Sequence, residues 1–308
     1  MAQKNTYLSV KNKTINKEKL SYIYVFIAAM LWGSAPSIGK IMLKDLNNYQ
    51  LLFYVSLIAS ISLFVICCLH GKLYIIKNYD KKDYLNFARM SFVGVFLYYI
   101  FYYGALTYAP AQEAFIVNYT WPVWVVIFAT LILKEPFNFK KLISIILGFI
   151  GIYLVASKGQ LTLSFSPQTL KGDILAMLGA ICYGFFSVLG KKQNYERYSS
   201  TMFYYMFAFI YITVYLILFS SIPKISLKQL LGIIWMGTCC SGLASVCWFL
   251  ALKYGDTAKM SNTIFITPFI SLVYIFFILG EKILISSFIG LVFIGTGIII
   301  ENHKKTLG

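Results

Sequence analysis

Residues 98–136 read YYIFYYGALTYAPAQEAFIVNYTWPVWVVIFATLILKEP, and their skeleton returns 146 positions later without a gap. Ala105-Leu106 recurs as Ala251-Leu252, Tyr108 as Tyr254, Pro122 as Pro268 and Glu135 as Glu281. A second block repeats at an offset of 151, with Trp32-Gly33 returning as Tyr183-Gly184 and Gly39-Lys40 as Gly190-Lys191. One structural unit is used twice, and any fold assigned to the chain has to accommodate both copies.

The unit is apolar. Stretches free of acidic and basic residues cover 46–69, 90–112, 114–133, 198–223, 229–252, 260–280 and 283–300. Shorter ones cover 142–157 and 174–190, and residues 22–43 hold only Lys40. A helix needs about 20 apolar residues to cross the hydrocarbon core. Only 12% of the 308 residues are charged, against roughly a quarter in soluble domains. The expectation is an all-α membrane protein with ten transmembrane helices arranged as two inverted five-helix repeats. The segments are too long for barrel strands and lack their alternation. Five crossings per unit is an odd number, so the second copy enters the bilayer from the opposite face.

A net charge of +16 would suggest nucleic acid for a soluble chain, but here the basic residues sit between apolar segments. With the N-terminus inside, 20 of the 27 Lys and Arg fall on the cytoplasmic side and 7 on the other, the bias that sets orientation in bilayers. Both termini are therefore expected in the cytoplasm. The layout expected is a polar, mobile cytoplasmic tail over 1–21, a first repeat over 22–157, an outward loop over 158–172, a second repeat over 173–301 and a cytoplasmic tail over 302–308. The first apolar segment exceeds a signal peptide's core and lacks a small-residue cleavage site. Arg89 and Arg197 are the only arginines, a coding bias that fits an AT-rich bacterium and an inner-membrane location. No nucleic-acid partner is expected, and the chain is read as a monomer or homodimer in the lipid bilayer.

Chemistry of the catalytic kind is not expected. His70 and His303 lie at segment ends, and the acidic residues are scattered. The six cysteines, including the neighbours Cys67-Cys68 and Cys239-Cys240, lie in apolar stretches where free Cys acts as a small hydrophobe. No metal, cofactor, disulfide framework or enzymatic activity follows from them. The run from Gly33 to Lys40 departs from a phosphate-binding loop in spacing and lacks the Ser or Thr after its lysine.

The candidate site residues are of three kinds. Glu113 is an ionisable group within a span, a functional position by default. It is read either as a hydrated residue near the outer end or as a group that holds a substrate ammonium or takes up a coupling proton. Lys259, its repeat equivalent, fits both the cavity and the positive-inside pattern. Pro122 and Pro268 cannot donate to the helical ladder, so each frees a carbonyl one turn earlier. That makes them hinges or tolerated kinks, beside Asn118 and Tyr119 in one repeat and Asn262, Thr263 and Phe265 in the other. Third come the aromatics Trp32, Tyr99, Tyr102, Tyr103, Trp121, Tyr183 and Trp248. Their rings suit stacking or a cation over a face, although interfacial belts also use Trp and Tyr.

With ten apolar segments in a five-plus-five repeat, a Trp-Gly in the first, and Pro122…Lys134-Glu135-Pro136 and Pro268…Gly280-Glu281-Lys282 closing the fourth and ninth, the chain resembles the EamA branch of the drug/metabolite transporter superfamily. The likeness runs from Tyr22 to Ile300. Asn118-Tyr119-Thr120-Trp121-Pro122, preceded by Glu113-Ala114, is similar to the NYLWP signature of the aromatic amino-acid exporters, with Thr120 in place of Leu. The resemblance implies a central cavity walled by segments 1, 3, 4, 6, 8 and 9 and export of amino acids or related small metabolites. The expected function is thus secondary export by alternating access, of aromatic amino acids in particular. Uptake of a cationic nutrient such as a quaternary amine is the alternative.

Overall fold

The computed structural model describes residues 2–134, 139–156, 167–222, 224–255, 260, 263–264 and 266–302. These residues are predominantly helical and include no strand. In chain order the helices are α1 (Ala2–Met42), α2 (Asn48–Leu69), α3 (Lys81–Tyr108), α4 (Ala111–Ile132), α5 (Phe139–Ala156), α6 (Pro167–Lys192), α7 (Arg197–Phe219), α8 (Leu227–Ala251), α9 (Thr267–Leu279) and α10 (Ile285–Asn302). Among the described residues, seven helices are long and apolar enough to cross a membrane; the apolar parts of α5, α9 and α10 are shorter, at Ile145–Val155, Thr267–Leu279 and Ile285–Gly297. Large apolar side chains such as Leu131, Phe219, Phe277 and Ile285 are exposed on the outside of the bundle. Apolar exposure on that scale suits contact with lipid.

The expected polar tail is helical and continuous with the first span. No Gly or Pro occurs between Ala2 and Trp32, so nothing in the backbone ends the ladder, and only the part from Lys17 has a span's composition. Elsewhere caps fix the helix starts. Asn47 and Gln50 form a capping box on α2, Ser226 and Gln229 another on α8, and the Glu196 side chain accepts from the Ser199 N–H at the start of α7. Each satisfies amide donors that would otherwise be orphaned.

Four helices are irregular, and they fall at repeat-equivalent places. In α4 the ladder breaks after Asn118; Tyr119 and Thr120 have ψ of 9° and −2°, and Pro122 sits in the first turn of the second half. In α9 Pro268 likewise opens the helix at its first turn. The prolines therefore start new helical pieces instead of bending continuous ones. α3 contains a π segment at Phe92–Leu97 and α8 one at Trp235–Leu243. Adding 146 carries 92–97 onto 238–243, within the second. Single π turns of this sort commonly mark functional places in helices.

Packing obeys an exchange of the two halves. α3 packs on α6 as α8 packs on α1, and the second half of α4 packs on α6 as α9 packs on α1. The glycines found by offset occupy these seams. A Cβ on Gly33 would lie 2.8 Å from Cγ2 of Ile270, and one on Gly184 would lie 2.7 Å from Cβ of Trp124; 33 maps to 184 at 151, and 124 to 270 at 146. Two remaining pairs join each helix to its own equivalent, α2 to α7 and α5 to α10. Both run antiparallel. Tyr49 stacks on Tyr215 at 4.5 Å and Phe53 meets Phe209 at 5.2 Å, while Gly151 abuts Ile294 and Gly290 abuts Val155. Equivalent helices that meet head to tail are what an inverted repeat demands, and contacts that swap between halves are the mark of a two-fold axis.

Overpacking these seams tests that arrangement. Gly33→Val and Gly184→Val should each cost ~1–3 kcal/mol, the usual penalty for inserting methyl groups into a filled contact, and should lower the melting temperature in detergent. Gly190→Ala, whose new Cβ would find its nearest neighbour at 4.0 Å, should leave it unchanged or raised.

Candidate functional site

A cavity opens between the halves. α1 contributes Trp32 and Ala35; α3 contributes Gly94, Val95, Tyr98, Tyr99, Tyr102 and Tyr103; α4 contributes Phe115, Asn118, Tyr119 and Trp121. From the second half come Tyr183 and Phe186 of α6, Thr201, Tyr204 and Tyr205 of α7, and Met236, Cys240, Ser241, Ser245 and Phe249 of α8. Measured to the centre of a water-sized sphere the cavity is about 70 Å³, space for several waters at about 10–15 Å³ each. No charged side chain is among these lining residues.

The α3 face follows from spacing. Val95, Tyr98, Tyr99, Tyr102 and Tyr103 recur at three- and four-residue steps, which puts them on one side of a helix. Their rings form a continuous wall: Tyr98 stacks on Tyr102 at 6.0 Å and Tyr99 meets Tyr103 at 5.1 Å. Trp121 packs edge-on against Tyr183 at 5.1 Å and Tyr98 meets Tyr183 at 4.9 Å. Trp248 stands behind this wall, 6.1 Å from Trp32 and 6.3 Å from Trp121. It supports the lining without forming part of it.

Most polar groups of the wall are committed. Tyr99 shares a hydrogen bond with Tyr205 at 3.1 Å and another with Ser241 at 3.4 Å. Asn118 donates its amide to the Ala176 carbonyl at 3.1 Å and accepts from the Tyr98 hydroxyl at 3.3 Å. Its side chain thus ties α4 to α6 and α3, where the sequence suggested a group facing a ligand. The Tyr102 hydroxyl differs: it is buried in the wall and has no hydrogen-bond partner among the described residues. A buried polar group left so is costly.

Freed carbonyls are taken up across the halves. Pro268 cannot donate to the Ile264 carbonyl; the Tyr119 hydroxyl donates to it at 2.8 Å and the Thr267 hydroxyl at 2.6 Å. In the α8 π segment the Ala244 N–H reaches five residues back to the Cys239 carbonyl, and the Trp32 indole N–H donates to the neighbouring Cys240 carbonyl at 2.9 Å. Irregular backbone at membrane depth has to be satisfied by such partners.

Glu113 departs from the sequence expectation. It is buried on α4 but is not part of the lining. Two residues before Phe115 is about 200° around a helix of 3.6 residues per turn, so when Phe115 and Tyr119 face the cavity Glu113 faces away. Asn262, Phe265 and Lys259 lie outside the described residues. Sequence reading missed Tyr98, Phe115, Phe186 and the α7 and α8 contributions. The signal was present in Thr201-Tyr204-Tyr205 and in Ser241-Ser245-Phe249, polar and aromatic residues at helical spacing within apolar runs.

Both ends of the cavity are braced. At one, Lys40 donates to the Leu106 carbonyl and to the Ala109 carbonyl at 2.6 Å, capping the C-terminus of α3. Glu281 accepts from the Ala111 N–H at 3.0 Å and the Gln112 N–H at 3.4 Å, capping the N-terminus of α4. Opposite charges thus sit on opposite helix ends, each where the helix dipole favours it. At the other end Tyr204 donates to Gln193, Gln193 to Asn86, Asn86 to Tyr195 and Tyr195 to Asp83, over 3.2, 3.2, 3.2 and 2.8 Å. Burial and the Asp83 hydrogen bond push the Tyr195 phenol up, so it remains the protonated donor at neutral pH.

Comparison with known proteins agrees with the architecture. A family model described as the EamA-like transporter family matches residues 19–157 and again 170–302. An uncharacterized transporter of Archaeoglobus fulgidus is 26% identical over 266 residues, covering 85% of this chain and 90% of that one. One of Clostridium kluyveri is 25% identical over 297 residues, with 93% and 95% covered. The aromatic amino acid exporter YddG of Ancylobacter novellus is 23% identical over 181 residues, with 58% and 62% covered. A protein crystal structure 18% identical in sequence superposes with a TM-score of 0.70 over 91% of this chain and 94% of its own, which speaks to fold. Matched in both halves, the chain belongs to the EamA-like transporter family.

Proposed function

We propose that the protein is a secondary transporter that exports aromatic amino acids or closely related small metabolites across the inner membrane of a bacterium by alternating access. Ten crossings in two inverted units, with both termini in the cytoplasm, give it two equivalent ways to close around one cavity. The observation that carries the reading is the cavity wall: thirteen of its twenty-two lining residues are Trp, Tyr or Phe and none is charged. Such a wall accepts a planar ring by stacking at 4.5–7 Å and disfavours phosphorylated solutes, whose clustered negative charge would lose hydration without a counter-charge. A relative named as an aromatic amino-acid exporter supports the same substrate class.

In the mechanism the substrate lies among Tyr98, Trp121 and Tyr183, and the Tyr102 hydroxyl supplies it one hydrogen bond. The Lys40 and Glu281 caps seal the outer end; the Tyr204–Asp83 chain belongs to the inner one. Opening toward one side is a rearrangement of the seams at Gly33 and Gly184, which exchange roles because the halves are equivalent.

Reconstituted into liposomes preloaded with unlabelled phenylalanine, the protein should accumulate labelled phenylalanine by counterflow. Counterflow with a quaternary amine such as choline and with no amino acid would favour cation uptake and contradict the proposal. Tyr102→Phe removes one hydrogen bond from a packed wall and should weaken phenylalanine binding about 5- to 20-fold, read by titration of the purified protein, while its melting temperature without substrate stays within a few degrees.

A further inference from the structure

The wall of the cavity carries no charge, yet an amino acid brings a carboxylate into it. Among the described residues Arg197, which is not itself part of the lining, is a cation in register with the wall. On α7, Thr201, Tyr204 and Tyr205 line the cavity, and Arg197 stands four residues before Thr201, hence one turn farther along the same helical face. Its backbone carbonyl accepts from the Thr201 hydroxyl at 2.7 Å. Its guanidinium lies 5.6 Å from the ring centre of Phe249, itself a lining residue. The third neighbour is the Gln193 backbone carbonyl, which accepts from the guanidinium at 3.2 Å, while the Gln193 side chain holds the Tyr204 hydroxyl.

These contacts satisfy little of what a guanidinium can do. It has five N–H donors in a fork that matches a carboxylate, and among the described residues it makes one hydrogen bond, to the Gln193 carbonyl. Glu196, its immediate neighbour, is committed elsewhere, accepting from the Ser199 N–H at 2.9 Å and the Ser199 hydroxyl at 3.0 Å. Lys40, at the far end, is engaged by backbone carbonyls. The half-buried guanidinium has the apolar Phe249 ring on one side, and a charge-assisted bond is stronger where water is partly excluded.

We propose that Arg197 is the carboxylate subsite of the transporter: the substrate's carboxylate docks on the guanidinium fork at the floor of the cavity while its ring lies among the aromatic side chains above. The proposal rests on the amino-acid reading and narrows it, because transport would then require an anionic group at one end of the ligand. Amines without a carboxylate would be poor ligands even where their rings fit. The charge-topology role common to Lys and Arg at membrane edges would be filled equally by lysine; the fork would not.

Isothermal titration of the purified protein with phenylalanine, phenylalaninamide and phenethylamine tests this. Wild type should bind phenylalanine about 10- to 100-fold more tightly than either neutralised analogue, the range for a hydrogen-bonded charge. Arg197→Gln should erase that preference and leave affinity for the two analogues unchanged, and Arg197→Lys should fall between. Equal binding of phenylalanine and its amide by wild type overturns the subsite, and that arm needs no variant to fold. Undiminished phenylalanine binding by Arg197→Gln, or a parallel loss of all three ligands, also overturns it while leaving the amino-acid reading standing. If wild type binds choline and none of the three, the amino-acid reading fails and the subsite with it.

Discussion

Backbone hydrogen bonding in a medium without water is the constraint on which this architecture depends. Regular helices satisfy it alone, but a transporter also needs irregular backbone where helices can rearrange. Here the cost is met by side chains from the opposite repeat. Tyr119 of the first half serves the Ile264 carbonyl freed by Pro268, and Trp32 serves the Cys240 carbonyl within the π segment of α8. The irregularities of α8 and α9 are therefore also crosslinks between the halves.

Two-fold exchange explains why the seams are so economical in residue type. Gly33 and Gly184 face Ile270 and Trp124 in matching positions, so a movement that loosens one seam has a ready counterpart in the other. The self-paired contacts, α2 with α7 and α5 with α10, stay on the axis and need not change partners. A scaffold of antiparallel equivalents with two exchangeable flanks is what alternating access asks of a chain.

How much of this was legible beforehand depended on whether the information was local. The 146-residue offset exposed the repeat, and the odd number of apolar segments its inversion, because identical residues recur at fixed distance. The tyrosine pairs of α3 marked a cavity wall because their spacing is helical. Glu113 misled because an acid in a span is conspicuous by chemistry, whereas its direction depends on the helix phase, set by Phe115 and Tyr119. The π segments left no trace in composition, since a slipped hydrogen bond is a matter of tertiary packing, here against α6 and α7 for the one in α3 and against α2 and α1 for the one in α8. Asn118 looked like a ligand group, and only the approach of α6 at Ala176 reveals its structural duty. The α7 residues were passed over because single hydroxyls in an apolar run are as often packing as function.

Cys240 gives the most direct test of one cavity opened alternately to two sides, because it lines the wall beside Trp32 and Ser241. In a variant whose other five cysteines are replaced by serine or alanine, a membrane-impermeant thiol reagent would be applied separately to right-side-out and inside-out vesicles. The account predicts labelling of Cys240 from both sides, with phenylalanine slowing both reactions. Labelling from one side only, unaffected by substrate, would contradict it.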